Sequence, residues 1–204
     1  MKKITHVVFD FGDVLNFFQQ TPEEKNILAN TANLEYDVFF DRYYFHRKDY
    51  DLGKLTPENY WQKVLESPSL EKIQKMRELD IQVSRRLNTK VWLWLGKLQQ
   101  YDMTLTLLSN MPQELANYHQ ENSIKDNFHH VFFSYDIGMV KPDAEIYEFV
   151  IKHTQQMPEE TFFIDDSLHN VESARKVGWY AFHYQNLEDL SEYVKQYHFL
   201  PNVD

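Results

Sequence analysis

His6-Val7-Val8-Phe9-Asp10-Phe11-Gly12-Asp13-Val14-Leu15 is the stretch that decides the fold. An apolar, β-branched run stops abruptly at an aspartate, and a glycine follows two residues later. Such a run reads as a strand buried on both faces of a parallel sheet. A carboxylate at its carboxyl end falls where open α/β sheets gather their ligands. Taken alone, Asp10 fits a turn as well as a reactive group, because aspartate favours turns. Two later strand ends, Leu107-Leu108-Ser109-Asn110 and Phe162-Phe163-Ile164-Asp165-Asp166, also finish in polar groups. Three strands converging on one edge with three or more carboxylates predict a cation site.

Outward from that strand the chain divides by pattern. The first strand is expected over about residues 4–9, with later strands near 103–108, 130–134, 161–164 and 179–183. Thr21-Pro22-Glu23-Glu24 and Thr56-Pro57-Glu58-Asn59 read as helix starts: a capping hydroxyl, proline in the first turn, then acid. Asp51-Leu52-Gly53-Lys54 reads as a turn between helices, and Tyr36, Phe39, Phe40, Tyr43, Tyr44 and Phe45 crowd the same region. Those rings are expected mostly to pack a core, with one or two facing a ligand. Pro112, Pro142 and Pro158 are expected to open the helices between the later strands, and Gly178 to end the fourth. Strands alternating with helices imply a parallel sheet covered on both faces. The expected fold is α/β: a Rossmann-like, doubly wound parallel sheet core over residues 1–15 and 86–204, with an α-helical cap inserted over 16–85.

Composition narrows the function. A chain of 204 residues holds one large domain or a domain with a modest insertion. Apolar residues make up 43%, with 15 Phe, 13 Tyr and four Trp, enough for a packed core. No apolar stretch approaches a membrane span, so a soluble protein without membrane contact is expected, and the lack of cysteine suits a reducing compartment, so the cytoplasm is the expected location. Met1-Lys2-Lys3-Ile4 leads straight into the first strand, and a cleaved signal peptide would remove Asp10, so none is expected. The absence of cysteine excludes disulfides, thiol catalysis and cysteine metal sites. A net charge of −10 argues against nucleic acid, which needs a basic stripe. An anionic substrate would then need a local device to draw it in, such as a metal ion with a lysine.

The ordered set Asp10-Phe11-Gly12-Asp13-Val14-Leu15, Leu108-Ser109-Asn110, Lys141-Pro142 and Ile164-Asp165-Asp166-Ser167 with Asn170 resembles the haloacid dehalogenase-like (HAD) hydrolases. The segment Phe132-Phe133-Ser134-Tyr135-Asp136-Ile137-Gly138-Met139-Val140-Lys141-Pro142 is similar to the branch containing small sugar-phosphate phosphatases. The resemblance implies that Asp10 is a nucleophile that attacks phosphorus and forms an aspartyl-phosphate. It implies Mg²⁺ held by Asp10, the Gly12 carbonyl and Asp166, with Asp165 and Asn170 orienting those ligands. Ser109 and Asn110 would bind the substrate phosphate near the helix opened by Pro112. Lys141 would add a positive charge to the phosphoryl oxygens and offset the clustered acids. His169 and His183 lie near these motifs and are expected to be bystanders.

One position departs from the pattern. Most phosphatases of this family carry a second aspartate two residues after the nucleophile, as the acid that protonates the leaving group. Here that position is Gly12, and Asp13 is one residue further. Side chains alternate along extended backbone, so Asp13 shares a side with Asp10 only if the turn breaks the alternation. General acid help is typically worth about 10²–10⁴-fold. The leading expectation is a Mg²⁺-dependent phosphatase of a small phosphorylated metabolite, such as a sugar phosphate. A 2-haloacid dehalogenase and a non-enzymatic phosphometabolite-binding protein are the alternatives. The Asp165-Asp166 pair speaks against the first of these, because unneutralised acids repel an anionic substrate. Phe45-His46-Arg47-Lys48 in the cap could face either substrate or solvent.

Overall fold

In the computed structural model, residues 3–17, 22–66 and 68–197 are described. Strand β1 (His6–Phe9) lies at the centre of a five-stranded, fully parallel sheet of order β3-β2-β1-β4-β5. The other strands are β2 (Thr104–Ser109), β3 (His130–Phe133), β4 (Thr161–Asp165) and β5 (Tyr180–His183). Each falls within two residues of its expected span. The chain builds outward from β1 on one side, then returns to add β4 and β5 on the other. That reversal is the switch point at which doubly wound sheets open a crevice beyond their carboxyl ends.

Period-two alternation decides what each face of the sheet buries. Val7, Phe9, Leu105, Leu107, Phe162 and Ile164 pack with Val91, Trp94 and Leu98 of α6 (Thr89–Leu98) and Leu190 of α11 (Leu187–Tyr197). Val8, Leu108 and Phe163 pack on the opposite face. They meet Ile146, Tyr147 and Val150 of α9 (Ala144–Thr154) and Val171 and Ala174 of α10 (Leu168–Lys176). Helices therefore cover both faces. The one polar side chain within β1, His6, is satisfied by hydroxyls on both sides. Its ring nitrogens lie 3.1 Å from Thr161 Oγ1 and 2.8 Å from Thr106 Oγ1.

The helical insertion has its own core. Helices α1 (Pro22–Ala32), α2 (Tyr36–Phe45), α3 (Arg47–Asp51), α4 (Pro57–Leu65) and α5 (Leu70–Ser84) enclose Leu28, Phe39, Tyr43, Tyr50, Tyr60, Trp61, Ile73 and Met76. Tyr50 and Tyr60 stack with ring centroids 4.1 Å apart. Most of the crowded aromatics are thus core, as expected, whereas Tyr44 and Phe45 stay 57% and 81% exposed. Thr56 caps α4 by accepting the Asn59 N–H at 3.2 Å. Helix α1 begins at Pro22, and Thr21, the cap expected for it, lies outside the described residues. The turn expected over 51–54 starts one residue later, because Asp51 still belongs to α3.

Where the insertion leaves and rejoins the sheet layer, the two crossings pair. Asn16 and Leu87 form an antiparallel bridge, flanked by Phe17 N–H to Arg86 O at 2.7 Å and Asn88 N–H to Leu15 O at 2.9 Å.

The proline expectations need one correction. Pro112 stands at the N-cap of α7 (Gln113–Glu121), and Pro142 lies two residues before α9. Pro158, however, opens only a single 3₁₀ turn, Pro158–Glu160, which runs straight into β4. Its fixed φ suits the first position of any helical turn, whether or not the turn continues. The helix between β4 and β5 is α10, and Gly178 follows it at φ +94°, a conformation open to glycine at little cost.

Candidate active site

Asp10, Ser109 and Asp165 follow or end three adjacent parallel strands, so the sheet places them along one edge. Asp10 is the residue directly after β1, and its N–H donates to Ile164 O at 2.9 Å. Asp165 is the last residue of β4 and is fully buried. Lys141 Nζ lies 2.7 Å from Asp10 Oδ1 and 2.7 Å from Asp165 Oδ2, with a side chain only 1% exposed. Asp10, Asp165 and Asp166 each offer a carboxylate oxygen within 4.8 Å of the others. One ammonium thus lies between two buried acids, with a third, more open carboxylate beside them.

The electrostatics follow from that imbalance. Burial pushes the Asp10 carboxyl up and Lys141 pulls it back, while Asp165 and Asp166 push it up again; the net shift is upward. Burial and Asp165 raise Asp166 to about 6, against the pull of Lys141. Burial would lower the Lys141 ammonium, but the flanking carboxylates override it and hold the charge on. A hard divalent cation suits such a donor set, because an all-oxygen cluster with excess negative charge is what such ions bind.

Each member is held from outside. Asp165 Oδ1 accepts the Ser167 N–H at 2.8 Å and Asn170 Nδ2 at 2.9 Å, while its Oδ2 takes Lys141. Both oxygens of Asp165 are therefore engaged, which leaves Asp10 and Asp166 the more open donors. Asn110 brackets the Lys141 main chain, donating from Nδ2 to Lys141 O and accepting the Lys141 N–H at Oδ1, both at 2.8 Å. The side chain expected to meet phosphate is thus taken up in fixing the lysine. Ser109 is buried at the end of β2, one residue before it.

Gly12 and Asp13 lie on the loop that follows. A Cβ built on Gly12 would come 3.9 Å from Asp10 Oδ2, so this position looks onto the Asp10 carboxylate. Asp13 is exposed at φ +50°, and its N–H donates to Asn16 Oδ1 at 2.9 Å. Among the described residues it stands outside the carboxylate trio, although its charge reaches Asp166. The left-handed conformation at Asp13 breaks the simple alternation that would separate it from Asp10.

The cap approaches this edge through α2 and α3. Lys48 Nζ pairs with Asp143 Oδ2 at 3.0 Å, just past Pro142. Arg47 Nε donates to Asp51 Oδ1 at 2.8 Å, and its guanidinium also meets the Tyr43 hydroxyl. Within Phe45-His46-Arg47-Lys48, Arg47 and Lys48 are thus paired, and Phe45 is the exposed ring.

The sequence profile described as "Haloacid dehalogenase-like hydrolase" matches residues 17–182. The chain belongs to the haloacid dehalogenase-like hydrolases. A D-ribitol-5-phosphate phosphatase of Bacteroides thetaiotaomicron is 23% identical over 210 residues, covering 91% of this chain and 94% of that one. A structure of HAD family enzyme bt-2542 from the same organism, in complex with magnesium and inorganic phosphate, superposes with a TM-score of 0.72 at 21% identity. It covers 92% of this HAD-like chain and 98% of that one. An L-2-haloacid dehalogenase from Xanthobacter autotrophicus superposes with a TM-score of 0.65 at 16% identity, covering 97% and 85% of the two chains. At these identities the superpositions speak to the fold.

Sequence reading passed over three groups that the structure brings to the site. His183, expected to be a bystander, lies with its Nε2 2.8 Å from the Asp166 carbonyl. Ser134 binds the Met111 N–H at 2.9 Å and reaches Asp51 O at 2.6 Å. The charge of Lys141 is felt at Asp51 in the cap. For His183 a signal existed: β5 runs beside β4, and His183 sits in register with Asp165.

Proposed function

We propose that this hydrolase is a Mg²⁺-dependent phosphatase of a small phosphorylated metabolite, with a sugar or polyol phosphate as the leading substrate class. The observation that carries the reading is Lys141 spanning Asp10 and Asp165 at 2.7 Å each, beside a third carboxylate, at the carboxyl edge of the sheet. Asp10, the Gly12 carbonyl and Asp166 would hold Mg²⁺, with Asp165 and Asn170 orienting them. Bound there, the ion would neutralise charge between the acids and a phosphate dianion.

The chain's own groups do the rest. Asp10 attacks phosphorus with one carboxylate oxygen and forms an aspartyl-phosphate as the ester oxygen departs; water then releases phosphate and restores the carboxylate. Lys141 favours the ionised form of Asp10 and fixes its place, and meets the charge that builds on the phosphoryl oxygens. Ser109 and the main chain of Asn110 receive the phosphate at the end of β2. Asp13 is the nearest carboxylate in sequence able to stand in for the acid missing at Gly12. The core comprises 1–15 and 86–204 and the cap 16–85, a division supported by the pairing of both crossings at Asn16 and Leu87. The cap closes over the site and sets specificity. Among the described residues no helix is long and apolar enough to cross a membrane, and a cysteine-free chain suits the cytoplasm.

Carbon attack on a haloacid needs no cation, and the surplus of clustered acids over the single lysine weighs against it. The test is phosphate release from a panel of sugar, polyol, nucleotide and acyl phosphates, with Mg²⁺ or with chelator, beside Asp10→Asn. Metal-dependent release that is lost in the variant is expected. Release from none of them, with chloroacid turnover instead, would overturn the reading.

A further inference from the structure

Ser134 is a buried hydroxyl to which the phosphatase reading gives no task. It is the first residue of the one-turn helix α8 (Ser134–Ile137), where β3 ends. Its Oγ accepts the Met111 N–H at 2.9 Å and donates to the Asp51 carbonyl at 2.6 Å. The Met111 carbonyl, at 3.3 Å, is a second and more distant acceptor. Three segments therefore meet at one oxygen. Met111 continues the Ser109-Asn110 turn at the end of β2. Asp51 ends α3 in the cap, and its carboxylate holds Arg47 at 2.8 Å. Ser134 itself begins the stretch that runs to Lys141, whose main chain Asn110 brackets.

We infer that Ser134 is a positioning residue that couples the seating of the cap to the geometry of the anion-binding turn, resting on the phosphatase reading above. A serine hydroxyl has one proton, and its acceptor lone pairs turn with it. With the cap seated, the proton points to Asp51 O and a lone pair faces the Met111 N–H. With the cap lifted, the remaining acceptor is the Met111 carbonyl, so the hydroxyl rotates and its bond from the Met111 N–H is re-aimed. Two discrete hydroxyl arrangements thus link two segments far apart in sequence, which is the physical requirement for coupling. The Ser84 hydroxyl of α5 also meets the sheet layer, 3.2 Å from His119 Nε2, but its proton goes to Ile81 O within its own helix, and its partner is a side chain, away from the anion-binding turn. Lys48–Asp143 is an exposed pair, and Arg77 of α5 meets Glu114 of α7 side chain to side chain.

Amide hydrogen exchange tests this, with orthophosphate plus Mg²⁺ as the probe, on the full-length protein and on Ser134→Ala and Ser134→Cys. In wild type the probe should slow exchange in peptides covering residues 108–113 and residues 45–54. In Ser134→Ala the first protection should persist and the second should fall by about tenfold, the scale of one lost hydrogen bond. Ser134→Cys, which keeps a weak donor of similar size, should restore part of it and carries the test if the alanine variant does not fold. Cap protection that survives in Ser134→Ala, or wild-type protection confined to 108–113, overturns the coupling. No protection at 108–113 in wild type overturns the phosphate site instead. The coupling is then judged without ligand, where Ser134→Ala must speed exchange in both peptides; faster exchange in only one overturns it.

Discussion

Replacing Lys141 by methionine keeps an unbranched apolar stem of similar reach and deletes the ammonium that lies between Asp10 and Asp165. Each contact is 2.7 Å long. At an effective dielectric constant near 20, one such contact is worth about 6 kcal/mol of attraction. Most of that is offset by several kcal/mol of desolvation for each buried ion. What survives is the cost of leaving acids buried without their partner, and breaking a buried pair from one side costs about 3–5 kcal/mol. Lys141→Met should lose that much in urea unfolding followed by tryptophan fluorescence with chelator present, and its turnover should collapse. Adding Asp165→Asn removes one of the stranded charges, so the double variant should be less destabilised than the sum by about 1 kcal/mol or more. A loss under about 1 kcal/mol, or strict additivity, would refute the reasoning that this lysine neutralises the cluster.

Other substitutions separate the remaining roles. Asp166→Ala should raise the Mg²⁺ concentration needed for half-maximal turnover by about tenfold or more, and an unchanged titration would remove Asp166 from the ligand set. Gly12→Asp should raise turnover of sugar phosphates, because a Cβ there meets only Asp10 Oδ2 at 3.9 Å and points an acid at the reacting group. Asp13→Ala should slow sugar-phosphate hydrolysis far more than that of an activated aryl phosphate; equal losses would deny Asp13 the acid role. Burial lowers the His119 pKa to about 4. Unfolded histidine takes up its proton near 6.5 and the folded one resists, so stability present above that pH is lost as pH falls toward 4. His119→Gln removes this share, so between pH 7.5 and pH 5 the stability gap should move toward the variant by about 2 kcal/mol. A gap that does not change with pH would contradict the buried neutral imidazole.

The sheet was legible because its strands are continuous apolar runs, and runs such as Phe162-Phe163-Ile164 have one reading once helices separate them. Asp10, Asp165 and Asp166 were legible for the same reason, since a polar residue ending an apolar strand must stand at the sheet's edge. Pro158 misled because proline marks the start of a helical turn without fixing its length. Asn110 was recognisable as a site residue, but its grip on Lys141 was not. That contact joins residues 31 apart and depends on how two loops cross. Ser134 was hidden for a related reason: its partners, Met111 N–H and Asp51 O, are main-chain atoms and leave no signature in side-chain type. The missing acid is the reverse case: the departure is visible in sequence as Gly12, whereas the φ of +50° at Asp13, which bears on whether that side chain can turn toward Asp10, is supplied by no spacing rule.

The central claim is that Asp10 carries the phosphoryl group. During steady-state turnover of a sugar phosphate with Mg²⁺, the reaction is quenched in acid and treated with borohydride, which reduces an acyl phosphate to the alcohol. Peptide mapping should then find homoserine at position 10 and nowhere else, in an amount that vanishes with chelator. Sustained turnover with an unmodified Asp10 peptide, or reduction at another aspartate, would contradict the account.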